Sequence, residues 1–255
     1  MVAFYLPGGV PIYAFALIMG AAASLGLAWI AMDARRRQLI PGLDAGLSAL
    51  LGGILGGRLA YAAASWGYFH NHGLETIQIY LGGLAWPGAL VGALLGLAIY
   101  AGLARQKIGA LADLLLPLGV LVAMAAWLVC WLDGCAYGMS ASTWWALPAR
   151  DEWGGWGRRV PVQLLGALLT LAIYWLVERL RPRLPVPGQA ALLALLLFSL
   201  EMFAISWLRA DPAPVTGMLR AEAWFALIIA GLAGCVLLAT WVRVRNRSID
   251  GKNRI

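Results

Sequence analysis

The sequence predicts an all-α polytopic membrane protein of about seven transmembrane helices, with the N-terminus outside and the C-terminus cytoplasmic. Three observations carry this. The chain is too apolar for water: of its 255 residues, 62% are hydrophobic and only 12% are charged, and mean hydropathy is +0.79. Soluble domains lie nearer half apolar and about a quarter charged. The apolar residues gather into seven runs, each close to the roughly 20 residues that cross the hydrocarbon core. The basic residues collect after alternate runs, which orients the bundle by the positive-inside rule.

The runs lie near 11–32, 46–68, 84–104, 111–132, 161–178, 189–208 and 222–242. The first is preceded by "MVAFYLPGGVP", which lacks a basic n-region, so no cleavable signal peptide is expected. Arg35, Arg36 and Arg37 follow it. The second contains "GGILGG", in which Gly52/Gly56 and Gly53/Gly57 permit close helix packing in lipid; Arg58 interrupts it. Residues 69–81, "FHNHGLETIQIYL", read as an outside interfacial helix. The third begins in "GGLAWPGALVG", residues 82–92, and is followed by Arg105 and Lys107. The connection 133–160 carries Trp144, Trp145, Trp153 and Trp156, whose amphipathic rings suit the headgroup level. The fifth run ends at Glu178, ahead of Arg179, Arg181 and Arg183. The seventh precedes Arg243, Arg245, Arg247, Lys252 and Arg254.

Thirteen of the 19 Lys and Arg thus fall on one side. A single integral membrane domain, 1–255, with a basic cytoplasmic tail from 243 is expected. The net charge of +7 is read as a topology determinant and an anionic-lipid contact, not as a nucleic-acid surface. The three cysteines, Cys130, Cys135 and Cys235, make no disulfide framework and are expected to behave as small apolar residues. His70 and His72 supply two ligands at most, so they read as exposed loop histidines ahead of a metal pair. No cofactor and no metal are expected, since no phosphate-cradling loop, dinucleotide fingerprint, nucleophile elbow or zinc signature occurs.

A charge at the centre of a spanning helix costs about 2.5–3.5 kcal/mol or more, so the polar exceptions are the informative positions. Arg58, in "GGRLAY", either snorkels to an interface or faces a wet cavity and pairs with a carboxylate or lipid phosphate. Glu201, in "LLLFSLEMFAISWLR", is either a protonated, hydrogen-bonded carboxyl or the partner of Arg58. Asp133 ends the fourth run, Arg158, Arg159 and Gln163 flank the start of the fifth, and Arg209 ends the sixth. With Arg58 these form a candidate ring of cationic and amide groups. Guanidinium groups bind phosphate bidentately, so the ring suits a phospholipid headgroup.

In this order the pieces resemble one family, the bacterial prolipoprotein diacylglyceryl transferases. "VPIYAFALIMG" places Tyr13 at a family tyrosine. "GGRLAY" is similar to Gly-x-Arg-Leu/Ile-Gly-Tyr, carrying Arg58 and Tyr61. "ADLLLPLG" is similar to Ala-Asp-x-x-x-Pro, carrying Asp113 and Pro117. "LDGCAYG" resembles Asn-Gly-Glu-x-x-Gly, with Asp133 for the asparagine and with Gly134 and Gly138 kept. "RVPVQLL" is similar to Arg-His-Pro-x-Gln-Leu, keeping Arg159, Pro161 and Gln163, and "LRAD" keeps Arg209. The departures are as specific. Pro87 falls on a family histidine, Trp127 on an arginine, Cys130 on an asparagine, and Ser206 on a glutamate one turn before Arg209.

The resemblance implies a seven-span protein of the bacterial inner membrane. It implies transfer of diacylglyceryl from phosphatidylglycerol to the lipobox cysteine of a prolipoprotein, with the phospholipid, the prolipoprotein signal segment and the membrane as partners. Arg58 and Arg209 would then face the phosphate charge that develops. Tyr13, Tyr61, Gly134, Gly138, Arg159 and Gln163 would line the substrate site. Asp133, Glu201 or His72 would replace the missing histidine in taking the thiol proton. The competing reading is a non-catalytic paralogue that binds lipid or a lipoprotein signal segment. A transporter is weaker, since no inverted repeat is evident.

Overall fold

The computed structural model of the chain describes residues 2–5, 11–36 and 42–252. Residues 6–10 of the N-terminal stretch, and Arg37 and Arg254 of the charge pattern, lie outside them. Strands β1 (Val2–Tyr5) and β2 (Pro11–Tyr13) form a hairpin that leads into α1 (Ala14–Arg36) and α2 (Gly42–Ala64). One short helix, α3 (Trp66–Phe69), and two 3-10 turns over 73–77 and 79–81 precede α4 (Trp86–Leu103). Helices α5 (Ile108–Leu114) and α6 (Leu116–Asp133) follow. A hairpin of β3 (Leu147–Arg150) and β4 (Trp156–Arg159) then leads to α7 (Val162–Leu180) and α8 (Gln189–Ser206). A last hairpin, β5 (Val215–Thr216) and β6 (Leu219–Arg220), enters α9 (Ala221–Lys252).

Seven of these helices, α1, α2, α4, α6, α7, α8 and α9, are long and apolar enough to cross a membrane. At 1.5 Å per residue an 18-residue helix spans about 27 Å, close to the hydrocarbon thickness. Their outward side chains are large and apolar, Leu25, Leu51, Ile99, Leu168 and Leu232 among them, because lipid rather than water is the solvent on that side. The three hairpins and the 65–85 segment all fall at one end of the bundle, here termed the hairpin end.

Lipid supplies no hydrophobic drive for helix–helix contact, so close backbone packing does this work. A Cβ added at Gly52 would collide with the Gly92 carbonyl, one at Gly56 with the Gly88 carbonyl, and one at Gly96 with the Ser48 carbonyl. Helices α2 and α4 therefore touch backbone to backbone. Two apolar clusters sit at opposite ends. Ile30, Ala45, Leu97, Leu111, Leu114 and Leu118 fill the end away from the hairpins. Trp127, Val160, Val162, Ala167, Met202, Ile205 and Ala226 fill the hairpin end.

The fourth apolar run is divided rather than continuous. Pro117 has no N–H to offer the Asp113 carbonyl one turn earlier, and the ladder breaks at Leu115. That carbonyl instead accepts a bond from the Arg181 guanidinium at 3.3 Å. The Asp113 carboxylate is equally engaged. Its two oxygens accept the N–H groups of Gly188 at 2.7 Å and Ala191 at 2.8 Å, capping the start of α8, where orphan donors need partners.

Residues 69–81 do not form one interfacial helix. They form two short 3-10 turns, 73–77 and 79–81. Arg58 takes the Thr76 carbonyl and shares that of Glu75 with the Gln78 amide. Gly82 and Gly83, at positive φ of 89° and 77°, turn the chain beyond the second.

Candidate functional site

Arg58 is 7% exposed, near the hairpin end of α2. Its donors all go to backbone carbonyls: Nε to Thr76 at 2.7 Å, one terminal nitrogen to Gly82 at 2.7 Å and Gly83 at 3.1 Å, the other to Glu75 at 2.5 Å and Gln78 at 3.5 Å. The rings of Tyr61 and Phe69 lie 5.7 and 5.3 Å from its guanidinium carbon. Of the two readings of Glu201, pairing with Arg58 is not formed. Glu201 is 6% exposed and accepts the Thr170 hydroxyl at 3.0 Å, between α8 and α7. Arg58 binds the 75–83 segment into shape and so sets the start of α4, where the Ala85 amide bonds the Gly57 carbonyl at 3.0 Å. Tyr13, half-buried on β2, packs beside Tyr80 of the same segment, ring centroids 6.1 Å apart.

Helix α4 opens with Trp86 and Pro87. Proline is tolerated there because a first-turn N–H has no intrahelical acceptor in any case. The Trp86 indole nitrogen donates to Glu222 Oε2 at 3.2 Å, and its ring meets Phe225 edge-on at 5.3 Å. Through Glu222 this corner joins Arg209.

Arg209 lies just past α8, with its side chain 11% exposed. Its Nε donates to Asp211 Oδ1 at 2.8 Å, one terminal nitrogen meets Asp211 Oδ2 at 2.5 Å and the other Glu222 Oε1 at 2.8 Å. Arg220 reaches the same two oxygens, Asp211 Oδ2 at 3.1 Å and Glu222 Oε1 at 2.9 Å, and also the Asp211 carbonyl at 2.9 Å. Burial favours loss of the Arg209 proton, but the hydrogen bond to Asp211 and the charge of Glu222 outweigh it and hold its pKa above the ordinary value. The four side chains form a closed, neutral network of two cations and two anions.

The third corner is built on the 134–140 strip. Gly134 ends α6 in the left-handed conformation, φ 73°, and a Cβ there would strike the Asp151 carbonyl. The turn carries the chain back so that the Cys135 amide bonds the Cys130 carbonyl at 3.0 Å. The two Cα atoms are then 4.5 Å apart and the side chains form a disulfide. This corrects the expectation that Cys130 and Cys135 act as small apolar residues; Cys235 is the free thiol. Gln163, 1% exposed, donates to the Cys135 carbonyl at 2.9 Å, and its Oε1 is buried without a partner.

Gly138 then pairs with Arg209 and Ser140 with Arg159 as isolated β-bridges, so one strip carries both arginines. Arg159 meets Asp151 at 3.0 Å and lies 4.6 Å over the Tyr137 ring, with its Nε unpartnered. Burial first, then the charge of Glu152, raises the Tyr137 pKa, so its hydroxyl is neutral at pH 7. Arg158 ties the loop by donating to the carbonyls of Thr143 and Ala146.

The structure thus brings Arg159, Arg209, Gln163, Gly134 and Gly138 together. It links Arg58, Tyr13 and Tyr61 to them through the 75–86 segment and Trp86–Glu222. Asp133 ends α6, exposed. His70 and His72 are exposed and bond backbone carbonyls; among the described residues no three His, Cys, Asp or Glu cluster as a metal site. Sequence reasoning missed Trp86, Asp211, Arg220 and Glu222. The signal was present as a repeated pattern, Arg209-Ala-Asp211 and Arg220-Ala-Glu222.

Trp127 fills the site's floor. It is 6% exposed, and its indole lies where a side chain on Gly166 would otherwise stand.

Residues 1–240 match the model of a family described as prolipoprotein diacylglyceryl transferase. The chain is similar to the phosphatidylglycerol–prolipoprotein diacylglyceryl transferase of Thermosynechococcus vestitus, 29% identical over 77% of each chain. It is also similar to that of Trichormus variabilis, 29% identical over 95% of this chain and 89% of the other. A shorter similarity, 38% identical over 46% of this chain and 43% of the other, relates it to the enzyme of Bacillus licheniformis.

Proposed function

The chain belongs to the prolipoprotein diacylglyceryl transferase family, and from that membership we propose that it is a transferase. It moves a diacylglyceryl group from phosphatidylglycerol to the lipobox cysteine thiol of a prolipoprotein. The chemistry is displacement at carbon. The thiolate sulfur attacks the glycerol methylene esterified to phosphate, a carbon–oxygen bond breaks, and glycerol phosphate leaves. Such a reaction needs cations where the leaving phosphate gathers charge.

The observation that supports this best is the placement of Arg209. It is nearly buried, charged and at the mouth of a membrane-spanning bundle, held by a strip that also carries Arg159. Arg209 binds the phosphate. Arg159, with an unpartnered Nε, contacts the headgroup from the other edge of the strip. Gln163 presents its free Oε1 to a donor such as the glycerol hydroxyl. Tyr13, Tyr61, Gly134 and Gly138 shape the walls. Arg58 is a positioning residue, since its donors hold the 75–83 segment. Asp133 stands at the end of α6, where the signal segment of the prolipoprotein would arrive.

The protein sits in the bacterial inner membrane with its hairpin end outside. Arg105, Lys107, Arg179, Arg181, Arg183 and Arg243 at the other end support that orientation.

Complementation tests the reading. The chain is expressed in cells depleted of their own diacylglyceryl transferase, and the mobility shift of a model prolipoprotein is followed. Modification is expected. Absence of modification from well-expressed, membrane-inserted protein overturns it in favour of a lipid- or partner-binding paralogue.

A further inference from the structure

Pro87 carries no titratable group. Of the candidates to replace the histidine, Glu201 is turned to Thr170 between α7 and α8, His72 bonds the Tyr68 carbonyl on an exposed turn and Asp133 is exposed at the end of α6. The four-charge network at the hairpin end supplies another acceptor for the thiol proton. Arg209 and Arg220 converge on one oxygen of Asp211 and one oxygen of Glu222. Two guanidinium groups sharing two anionic oxygens present the geometry that also suits the two non-bridging oxygens of a phosphodiester. All four side chains are 11–18% exposed, so a headgroup binds there by exchanging with the carboxylates rather than by adding to them.

The two carboxylates differ in what would hold them after such an exchange. Asp211 lies two residues from Arg209 in sequence and keeps Oδ1 on the Arg209 Nε at 2.8 Å. Glu222 would lose both guanidinium contacts to Oε1. Its second oxygen remains on the Trp86 indole nitrogen at 3.2 Å, on the residue next to Pro87. The carboxylate is then held at the site with one oxygen open.

We propose that Glu222 is the acceptor of the substrate thiol proton and Arg220 a second phosphate ligand, with headgroup binding releasing Glu222 for that task. This rests on the transferase reading. The proton leaves sulfur for Glu222 Oε1 and the sulfur lone pair forms the carbon–sulfur bond. The carbon–oxygen bond breaks, and its electron pair departs on the phosphate oxygen between Arg209 and Arg220. Glu222 then returns the proton to the departing glycerol phosphate, which restores the network. No oxidant or reductant enters.

The test uses the full chain, phosphatidylglycerol in mixed micelles and a lipobox peptide. Glu222→Gln keeps an acceptor for Trp86 but removes the charge. Its kcat is expected to fall on the order of 100-fold, the scale of one general base, while KM for phosphatidylglycerol falls because an anionic competitor is gone. The deficit is expected to shrink above about pH 8.5, where the thiol ionises unaided. E222D, which keeps the carboxylate, is expected to recover part of the loss; failure to recover any overturns the proposal, and decides the matter where E222Q does not fold. An E222Q enzyme with unchanged kcat, or with the same deficit at every pH and a raised KM, overturns it while leaving the transferase reading intact. An inactive wild type overturns both.

Discussion

The indole of Trp127 occupies the space left by the missing side chain of Gly166, so that α6 and α7 meet ring against backbone. Around the pair lie Val162, Ala167, Met202 and Ala226. An arginine at 127 would bring a charge into this apolar cluster.

Trp127→Ala is accordingly expected to open a cavity and cost about 3–5 kcal/mol of stability. Thermal unfolding in detergent reads it as a clear loss of melting temperature. Trp127→Phe, which keeps a ring against Gly166, is expected to retain most of the stability. Equal melting of W127A and the wild type contradicts the packing account.

Arg209→Ala is expected to lower diacylglyceryl transfer by about 100- to 1,000-fold, the loss typical of one donor aimed at developing charge. Arg209→Lys keeps the charge but not the planar fork, and belongs between the two. The comparison requires matched membrane-inserted protein, and unchanged transfer in R209A removes Arg209 from the site.

Thiol counting checks the disulfide. Under non-reducing denaturing conditions one of the three cysteines, Cys235, is expected to alkylate, and all three after reduction. Cys135→Ser opens a very short loop, for which chain entropy predicts about 2 kcal/mol of lost stability. Three alkylated thiols without reduction contradict the bond.

Thr170→Val leaves the buried Glu201 carboxyl without its hydroxyl partner. A cost of about 1–3 kcal/mol is expected, the penalty of an unsatisfied buried polar group. Replacing both, Thr170→Val with Glu201→Leu, is expected to restore near-wild-type stability, since a matched apolar pair serves as well as a buried polar one. A double mutant as unstable as T170V indicates a different role for Glu201.

The seven spanning helices were legible because composition and charge placement act over 20 residues at a time. The site was legible only in part. Arg209, Arg159 and Gln163 are marked by position, at the ends of apolar runs, and they do gather on the 134–140 strip. Arg58 was marked by its cost in a spanning helix. Its satisfaction by five backbone carbonyls was not, because carbonyls leave no trace in a residue pattern. The disulfide escaped notice since Cys130 and Cys135 look like small apolar residues until the Gly134 turn folds one back on the other. Arg220 and Glu222 sit where a spanning helix begins and there read as ordinary boundary charges; only the shared acceptors distinguish them.

The Asp113 cap has a consequence in time. Its carboxylate and the N-terminus of α8 are 75 residues apart in the chain, and synthesis proceeds at roughly 5–20 residues per second. For roughly 4–15 seconds of each molecule's birth, α5 waits for a partner not yet made. The α5–α8 clasp is therefore closed late, and adds hydrogen bonds to the apolar packing that already seats α7 on α6. Any chain terminated ahead of Gly188 leaves that clasp open, with α7 able to pack on α6 but α5 never tied to α8.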